Sequence, residues 1–353
     1  MPNSFSQRTK SFLYAHRYIL GILLAILVLL VALTMYYLPV VKAVFKSKEN
    51  LGTSFINLTK DPQEILKNDN GRTNILLLGM GGAGHEAGTL TDSVTLISYK
   101  YQSRTPTIIS IPRDLWVDSL KAKINTAYYY GEQKQKGGGI LLAKSSVEEL
   151  TGIPISYVMA LDFGLFKKAI DLVGGVTIDV PSVIDDYEYP IAGRENALPI
   201  ESRYEHLHFD AGIQTMDGER ALKYVRSRHA QGSQGTDFAR SERQRQILLA
   251  IRDQVIRSKI LLDPVKINTF ISENEKYFIT DVNVTDYPAF LKIALDADTK
   301  NMKSIPLVTK TENPEFAILE VGDKKLFQGQ YVLVAKDKNW AALKQFIQNE
   351  LGK

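Results

Sequence analysis

Tyr157–Val180, YVMALDFGLFKKAIDLVGGVTIDV, decides the fold class. Tyr157–Leu161 is a short apolar run suited to a strand. Phe163–Val173 then places Phe163, Phe166, Ile170 and Val173 on one helical side. Gly174-Gly175 stops that helix, and Val176–Val180 alternates apolar and polar residues as the next strand. Upstream, Asn74–Leu78, Thr91–Ser98 and Thr107–Ile111 are predicted strands, and Lys144–Leu150 is helical. Downstream, Tyr287–Leu295 and Trp340–Leu351 read as helices, and Ser304–Val308, Phe316–Leu319 and Tyr331–Val334 as strands. Strand and helix alternating in this way predict an α/β domain built on a central sheet. Between these, Pro181–Leu207 reads as a long surface loop or hairpin, Gly212–Arg226 as a helical approach, and Gly232–Gly235 as a flexible hinge.

The chain has 353 residues, 44% hydrophobic and 23% charged, as expected of an ordinary folded protein. A formal net charge of +4 is too weak to single out nucleic acid as a partner. With no cysteine, disulfides, thiol catalysis and Cys-ligated metal sites are excluded. Tyr18–Val40 is uncharged and long enough to cross a bilayer as one helix, with Tyr36 and Tyr37 at the far interface. It is too long for a typical signal-peptide core, so it reads as an uncleaved anchor. Basic residues are nearly balanced across it: Arg8, Lys10 and Arg17 before, Lys42, Lys46 and Lys48 after. The short tail at 1–17 and the lack of a second span favour a cytoplasmic N-terminus. A polar stalk at 41–70 then leads to an extracytoplasmic domain at 71–353.

Tyr224–Arg245, YVRSRHAQGSQGTDFARSERQR, concentrates Arg226, Arg228, Arg240, Arg243 and Arg245 in a short distance. Thr236 or Asp237 can cap a helix whose apolar face carries Ile247, Ile251 and Val255. Arg243 and Arg240 precede Ile247 by four and seven residues, which turns them toward that face. A guanidinium directed at a core cannot discharge itself and calls for a carboxylate or bound anion beside it. Asp237 can serve from within, and the excess of arginines points to an anionic ligand.

Other candidates sit at strand ends. Asp92 opens the second strand and is a plausible oxygen ligand for a divalent cation; Arg113, after the third, is a plausible phosphate clamp. Asp114 is expected to orient Arg113 or cap a turn. The glycine-rich loop at 79–88, GMGGAGHEAG, has no Lys-Ser or Lys-Thr closure, so it is not a nucleotide phosphate loop. His206 and His208 flank Leu207 at strand spacing, but no histidine forms a metal motif with its sequence neighbours, and non-ligand roles are expected for them.

Gly71–Gly79, Leu90-Thr91-Asp92-Ser93, Ile111-Pro112-Arg113-Asp114, Lys123-Ile124-Asn125, Leu172–Val180, Gly212–Arg228 and Asp237–Arg245 together resemble the LytR-CpsA-Psr family of cell-wall glycopolymer ligases. The resemblance spans about residues 71–258. It implies a three-layer α/β/α domain with a central mixed β-sheet and a hydrophobic lipid pocket, preceded by one N-terminal transmembrane helix. It also implies transfer of a glycopolymer phosphate from a polyprenyl-pyrophosphate carrier to a peptidoglycan hydroxyl at the membrane, assisted by Mg²⁺. Matched by motif, Asp92 resembles a metal-site or pyrophosphate-site aspartate of the family. Arg113, Arg226, Arg228 and Arg240 resemble its phosphate-binding arginines, and Asp237 the acid that positions them. Lys123, Asn125, Arg243 and Gln244 fall in the substrate-binding pattern.

Two positions depart from that pattern. Gly81 replaces a second acidic metal ligand, and Leu90 replaces the arginine before Thr91-Asp92; His85 and Glu86 are the residues that can compensate. The departures leave two rival functions open, a noncatalytic lipid-phosphate or wall-polymer binding module and a polyprenyl-pyrophosphate hydrolase. A transcriptional attenuator is disfavoured, because no helix-turn-helix pattern is evident.

Overall fold

The computed structural model describes residues 60–82, 88–194, 196–309 and 317–352, with the side chains of Asp237, Leu262, Pro264, Asn268 and Val284 outside the description. The expected membrane span at 18–40, with His85 and Glu86, therefore lies outside the described residues. Among the described residues no helix is long and apolar enough to cross a membrane.

The chain forms two compact units, one of residues 1–52 and 260–273, the other of 53–259 and 274–353. The described part of the smaller unit is a 3-10 turn, Ile260–Leu262, and helix to residue 273. In the larger unit, α1 (Pro62–Ile65) precedes the strands β1 (Arg72–Met80), β2 (Thr91–Lys100) and β3 (Thr105–Ile111). A ribbon of β4 (Trp116–Val117) and β5 (Ala122–Lys123) leads to α2 (Ala127–Lys134) and α3 (Gly138–Thr151). Next come β6 (Tyr157–Asp162), α4 (Phe163–Leu172), β7 (Val176–Val180), the hairpin β8 (Ile184–Pro190) and β9 (Tyr204–Phe209), and β10 (Gly212–Met216). Two helices follow, α5 (Gly218–Arg226) and α6 (Asp237–Arg257). After α7 (Pro264–Asn274) the chain forms β11 (Phe278–Thr280), α8 (Tyr287–Asp296), β12 (Lys303–Pro306), β13 (Val308–Thr309), β14 (Ala317–Val321), β15 (Leu333–Ala335) and α9 (Trp340–Leu351).

Six strands make the central sheet in the order β11-β6-β1-β2-β3-β12. It is mixed: β1 runs parallel to β6 and antiparallel to β2, and β3 runs parallel to β12. Side chains alternate across it, so each face has its own partners. Leu76, Leu78, Leu96 and Ile109 are buried in a core completed by Val147 and Leu150 of α3 and Leu343 and Ile347 of α9. Ile75, Tyr99 and Tyr157 belong to another core with Ala289 and Ile293 of α8.

Two expectations change. The stalk does not extend to residue 70: Leu66 is 2% exposed and packed with Ile75 and Tyr157. Lys67 N donates to the Tyr157 hydroxyl at 2.9 Å, so burial and a tertiary hydrogen bond fix this polar stretch. Gly212–Arg226 is a strand and then a helix, because β10 pairs antiparallel with β7 before Asp217 caps α5 by accepting from Arg220 N.

Helices α4 and α5 meet at a glycine. A Cβ on Gly218 would overlap the backbone carbonyl of Lys167, and Gly218 N donates to Asp171 Oδ1 at 2.8 Å. Gly218→Ala is expected to cost about 1–3 kcal/mol by overpacking, read as a lower midpoint in thermal unfolding. An unchanged midpoint would contradict this close helix contact.

Candidate functional site

A cavity of about 250 Å³ opens beside the central sheet, between the ends of β1–β3 and helices α4, α5 and α6. Its apolar lining includes Leu77, Leu161, Phe163, Phe166, Leu222 and Ile247. Asp92, Ser93, Arg113, Arg226, Arg228, Arg240 and Gln244 line the same cavity. One space therefore joins an apolar wall to four guanidinium groups.

Each side chain is placed by local structure. Phe163 begins α4, whose cap Asp162 accepts from Leu165 N at 2.7 Å. The Arg226 guanidinium lies over the Phe163 ring, 4.5 Å from its centroid, where the aromatic face favours a cation. Tyr189, also on the wall, has its hydroxyl pKa pushed up to about 12 by burial, against a lowering influence from Arg226. Gly79 admits this packing: a Cβ there would stand 3.2 Å from Ser93 Cβ and 3.6 Å from the Phe163 ring.

Arg113 Nη1 donates to Asp92 Oδ1 at 2.6 Å, while Lys123 Nζ meets Asp114 Oδ1 at 2.8 Å. Gln244 Nε2 reaches Ser93 Oγ at 3.4 Å. Lys123 and Asn125 are not among the residues lining this cavity. Lys123 is engaged with Asp114, and buried Asn125 donates its backbone N–H to the Arg113 carbonyl at 3.2 Å. The Asn125 side-chain oxygen is buried and has no hydrogen-bond partner among the described residues.

Arg243 has a supporting place. It does turn inward and is 2% exposed; its terminal nitrogens are taken by backbone carbonyls, while Nε has no hydrogen-bond partner among the described residues. Nη2 donates to the Ser227 carbonyl at 2.6 Å and Nη1 to the Gln234 carbonyl at 2.9 Å. Burial pulls its pKa down to about 10, still a cation at neutral pH. Its work is to tie the 227–235 segment to α6. That helix is capped by Thr236, whose Oγ1 accepts from Ala239 N at 3.1 Å, as expected. Arg240 is 8% exposed and does line the cavity; the Asp237 side chain expected beside it lies outside the described residues.

Asp186 is the residue that sequence reasoning missed. Fully buried, it accepts at Oδ2 from Ser227 Oγ (2.7 Å), Arg228 N (3.1 Å) and His229 N (3.2 Å). It thereby holds the backbone that presents Arg226 and Arg228. In sequence it is one of two adjacent aspartates in a polar segment, with no signal of its inward direction.

Among the described residues Asp92 is the one acidic side chain lining the cavity. Gly81 offers no side-chain oxygen where the family pattern has an acid. This donor set does not make a protein cage for Mg²⁺. It suits a cation held by one carboxylate, waters and substrate phosphate oxygens, which is a common way to bind Mg²⁺.

The model of the LytR_cpsA_psr family matches residues 35–347. The chain belongs to this family. Among curated family relatives, the polyisoprenyl-teichoic acid–peptidoglycan teichoic acid transferase TagV of Bacillus subtilis is 29% identical over 267 residues, 74% of this chain and 60% of TagV. The chain thus matches less than two thirds of TagV's length. TagU of Bacillus cereus, a transferase of the same description, is 27% identical over 259 residues, 72% of this chain and 73% of TagU. Solved structures of the family share the fold. Bacillus subtilis TagV superposes with a TM-score of 0.53 at 22% identity, covering 81% of this chain and 99% of that one. TagT (YwtF) with bound octaprenyl pyrophosphate lipid gives 0.52 at 21% identity, covering 83% and 93%.

Asp186→Asn is expected to lower stability by about 1–3 kcal/mol, since buried donors lose a charged acceptor. Denaturant unfolding measures this, and hydrogen exchange should show lost protection at Ser227–His229 before the rest of the domain. Protection unchanged at those amides would rule out the anchoring role.

Proposed function

We propose that this protein transfers a glycopolymer phosphate from a polyprenyl-pyrophosphate carrier to peptidoglycan, leaving a phosphodiester link. The observation that supports this most is the joining of apolar wall and guanidinium groups in one cavity, because a lipid pyrophosphate needs both. The names of TagV and TagU, and the lipid bound by TagT, agree with it.

The acceptor hydroxyl oxygen forms a bond to the phosphorus carrying the polymer. The pyrophosphate bridge to that phosphorus breaks, and polyprenyl phosphate leaves. Arg113, Arg226, Arg228 and Arg240 hold the nonbridging oxygens and offset the charge that develops there. Phe163, Phe166 and Leu222 accept the chain nearest the headgroup, where apolar burial favours lipid over water. Asp92 orients Arg113 and is the residue to hold Mg²⁺. Bound there with the substrate, Mg²⁺ would neutralise pyrophosphate oxygens. Among the described lining residues Asp92 is the only carboxylate, and it takes the hydroxyl proton only where it is not fully occupied by Mg²⁺. Residues 18–40 anchor the chain in the cell membrane with the catalytic unit outside, where carrier and peptidoglycan meet.

A specific observation favours a second reading. With Gly81 and Leu90 in place of an acid and an arginine, the site is a lipid-phosphate binding module without turnover. Incubating the full chain in detergent with polyprenyl-pyrophosphate-linked saccharide, peptidoglycan oligomers and Mg²⁺ separates the readings by mass spectrometry. A phosphodiester-linked adduct supports transfer. Free saccharide phosphate instead means hydrolysis, and lipid binding with no product means the binding module.

Arg226→Gln and Arg228→Gln are each expected to lower turnover at least about a hundredfold, as loss of a charge-stabilising donor does. Circular dichroism should be unchanged. Chelation by EDTA should suppress transfer and Mg²⁺ restore it; full activity in EDTA would remove the cation from the mechanism.

A further inference from the structure

The hairpin β8–β9 carries an arrangement that the transferase reading does not use. His206 and His208 point to the same side of β9, two residues apart, and Asp185 of β8 is paired with His208 across the strands. Asp185 Oδ1 lies 2.8 Å from His206 Nε2 and 2.8 Å from His208 Nδ1. One ligand atom from each residue falls within 4.8 Å of the others.

Two further contacts orient the donors. The far nitrogen of His208, Nε2, faces Asp210 Oδ1 at 3.2 Å. A proton held there leaves Nδ1 as the lone-pair atom facing the cluster, and a carboxylate behind an imidazole is the usual outer support of a metal-ligating histidine. The His206 ring is stacked on Tyr187 at 4.0 Å between centroids and 1° between planes, which fixes its direction. The cluster combines two acids with two imidazoles, so it attracts cations.

We propose that Asp185, His206 and His208 form a site for a borderline divalent transition-metal ion of the Zn²⁺ class, distinct from the pyrophosphate cavity. Two imidazole donors select against Mg²⁺ and Ca²⁺, which prefer oxygen. A tetrahedral Zn²⁺ about 2.0–2.1 Å from its ligands keeps them ~3.3 Å apart, so each imidazole nitrogen moves about half an ångström from Asp185 Oδ1 while the two nitrogens, within 4.8 Å of each other, adjust to the same spacing. The fourth position faces solvent and takes water. All three side chains are at least partly exposed, which gives the ion a path in.

The ion would cross-link β8 to β9 on the outer side of the hairpin. On its inner side the same β8 gives Asp186 to the Arg228 backbone and Tyr189 and Pro190 to the cavity wall. Metal binding thus stiffens a wall of the site without contacting the reacting atoms.

Titration of the full chain in detergent, free of affinity tag, with Zn²⁺ by isothermal calorimetry tests the proposal. One Zn²⁺ per chain is expected at this site, with binding lost in the His206→Ala/His208→Ala double variant and weakened about 10–100-fold in Asp210→Asn. Mg²⁺ should not compete. Co²⁺ should give the visible absorption bands of a tetrahedral ion in the wild type and not in the double variant. These exposed substitutions leave the core intact, which circular dichroism checks. The proposal is overturned if Zn²⁺ does not bind, if the double variant binds it equally well, or if Mg²⁺ displaces it at similar concentration.

Discussion

A buried guanidinium that cannot discharge needs acceptors for its charge, and Arg243 imposes this constraint on the site. Its two terminal nitrogens take the carbonyls of Ser227 and Gln234, which brings the segment between α5 and α6 back onto α6. The same segment is gripped from the other side by the buried carboxylate of Asp186. Between these opposite charges, both removed from solvent, the backbone carrying Arg228 is held with little freedom. Burying either charge without its partners would cost on the order of several kcal/mol.

The division of labour among the arginines follows from that. Arg243 spends its terminal nitrogens on backbone carbonyls and is a strut. Arg226, Arg228, Arg240 and Arg113 line the cavity and have their positions set by an aromatic face, a backbone anchor, a capped helix and Asp92. Such preorganisation suits phosphoryl transfer, where the protein contributes positioning and charge. Among the described residues Asp92 is the single carboxylate on the cavity wall. The hairpin adds a second layer, because its inner face supports the site and its outer face gathers imidazoles.

Much of the architecture was legible. Alternation in Tyr157–Val180 foretold β6, α4 and β7, and the inward turn of Arg240 and Arg243 followed from their spacing to Ile247. The limits at Leu66 and Gly212–Met216 are of one kind. A polar stretch became part of the core through Tyr157, and β10 became a strand through β7; both partners are distant in sequence. Lys123 and Asn125 matched a motif, yet a motif does not tell which side chains line the cavity.

The sequence by itself determined the α/β class, the family, and the residue types that a phosphate site requires, because periodicity and motif spacing are local properties. Only the tertiary structure decided which arginines face the cavity and which hold the frame. It alone turned Asp186 inward and Asp185 outward toward His206 and His208. Adjacent residues of a strand point to opposite faces, and which face is buried depends on packing with elements far along the chain.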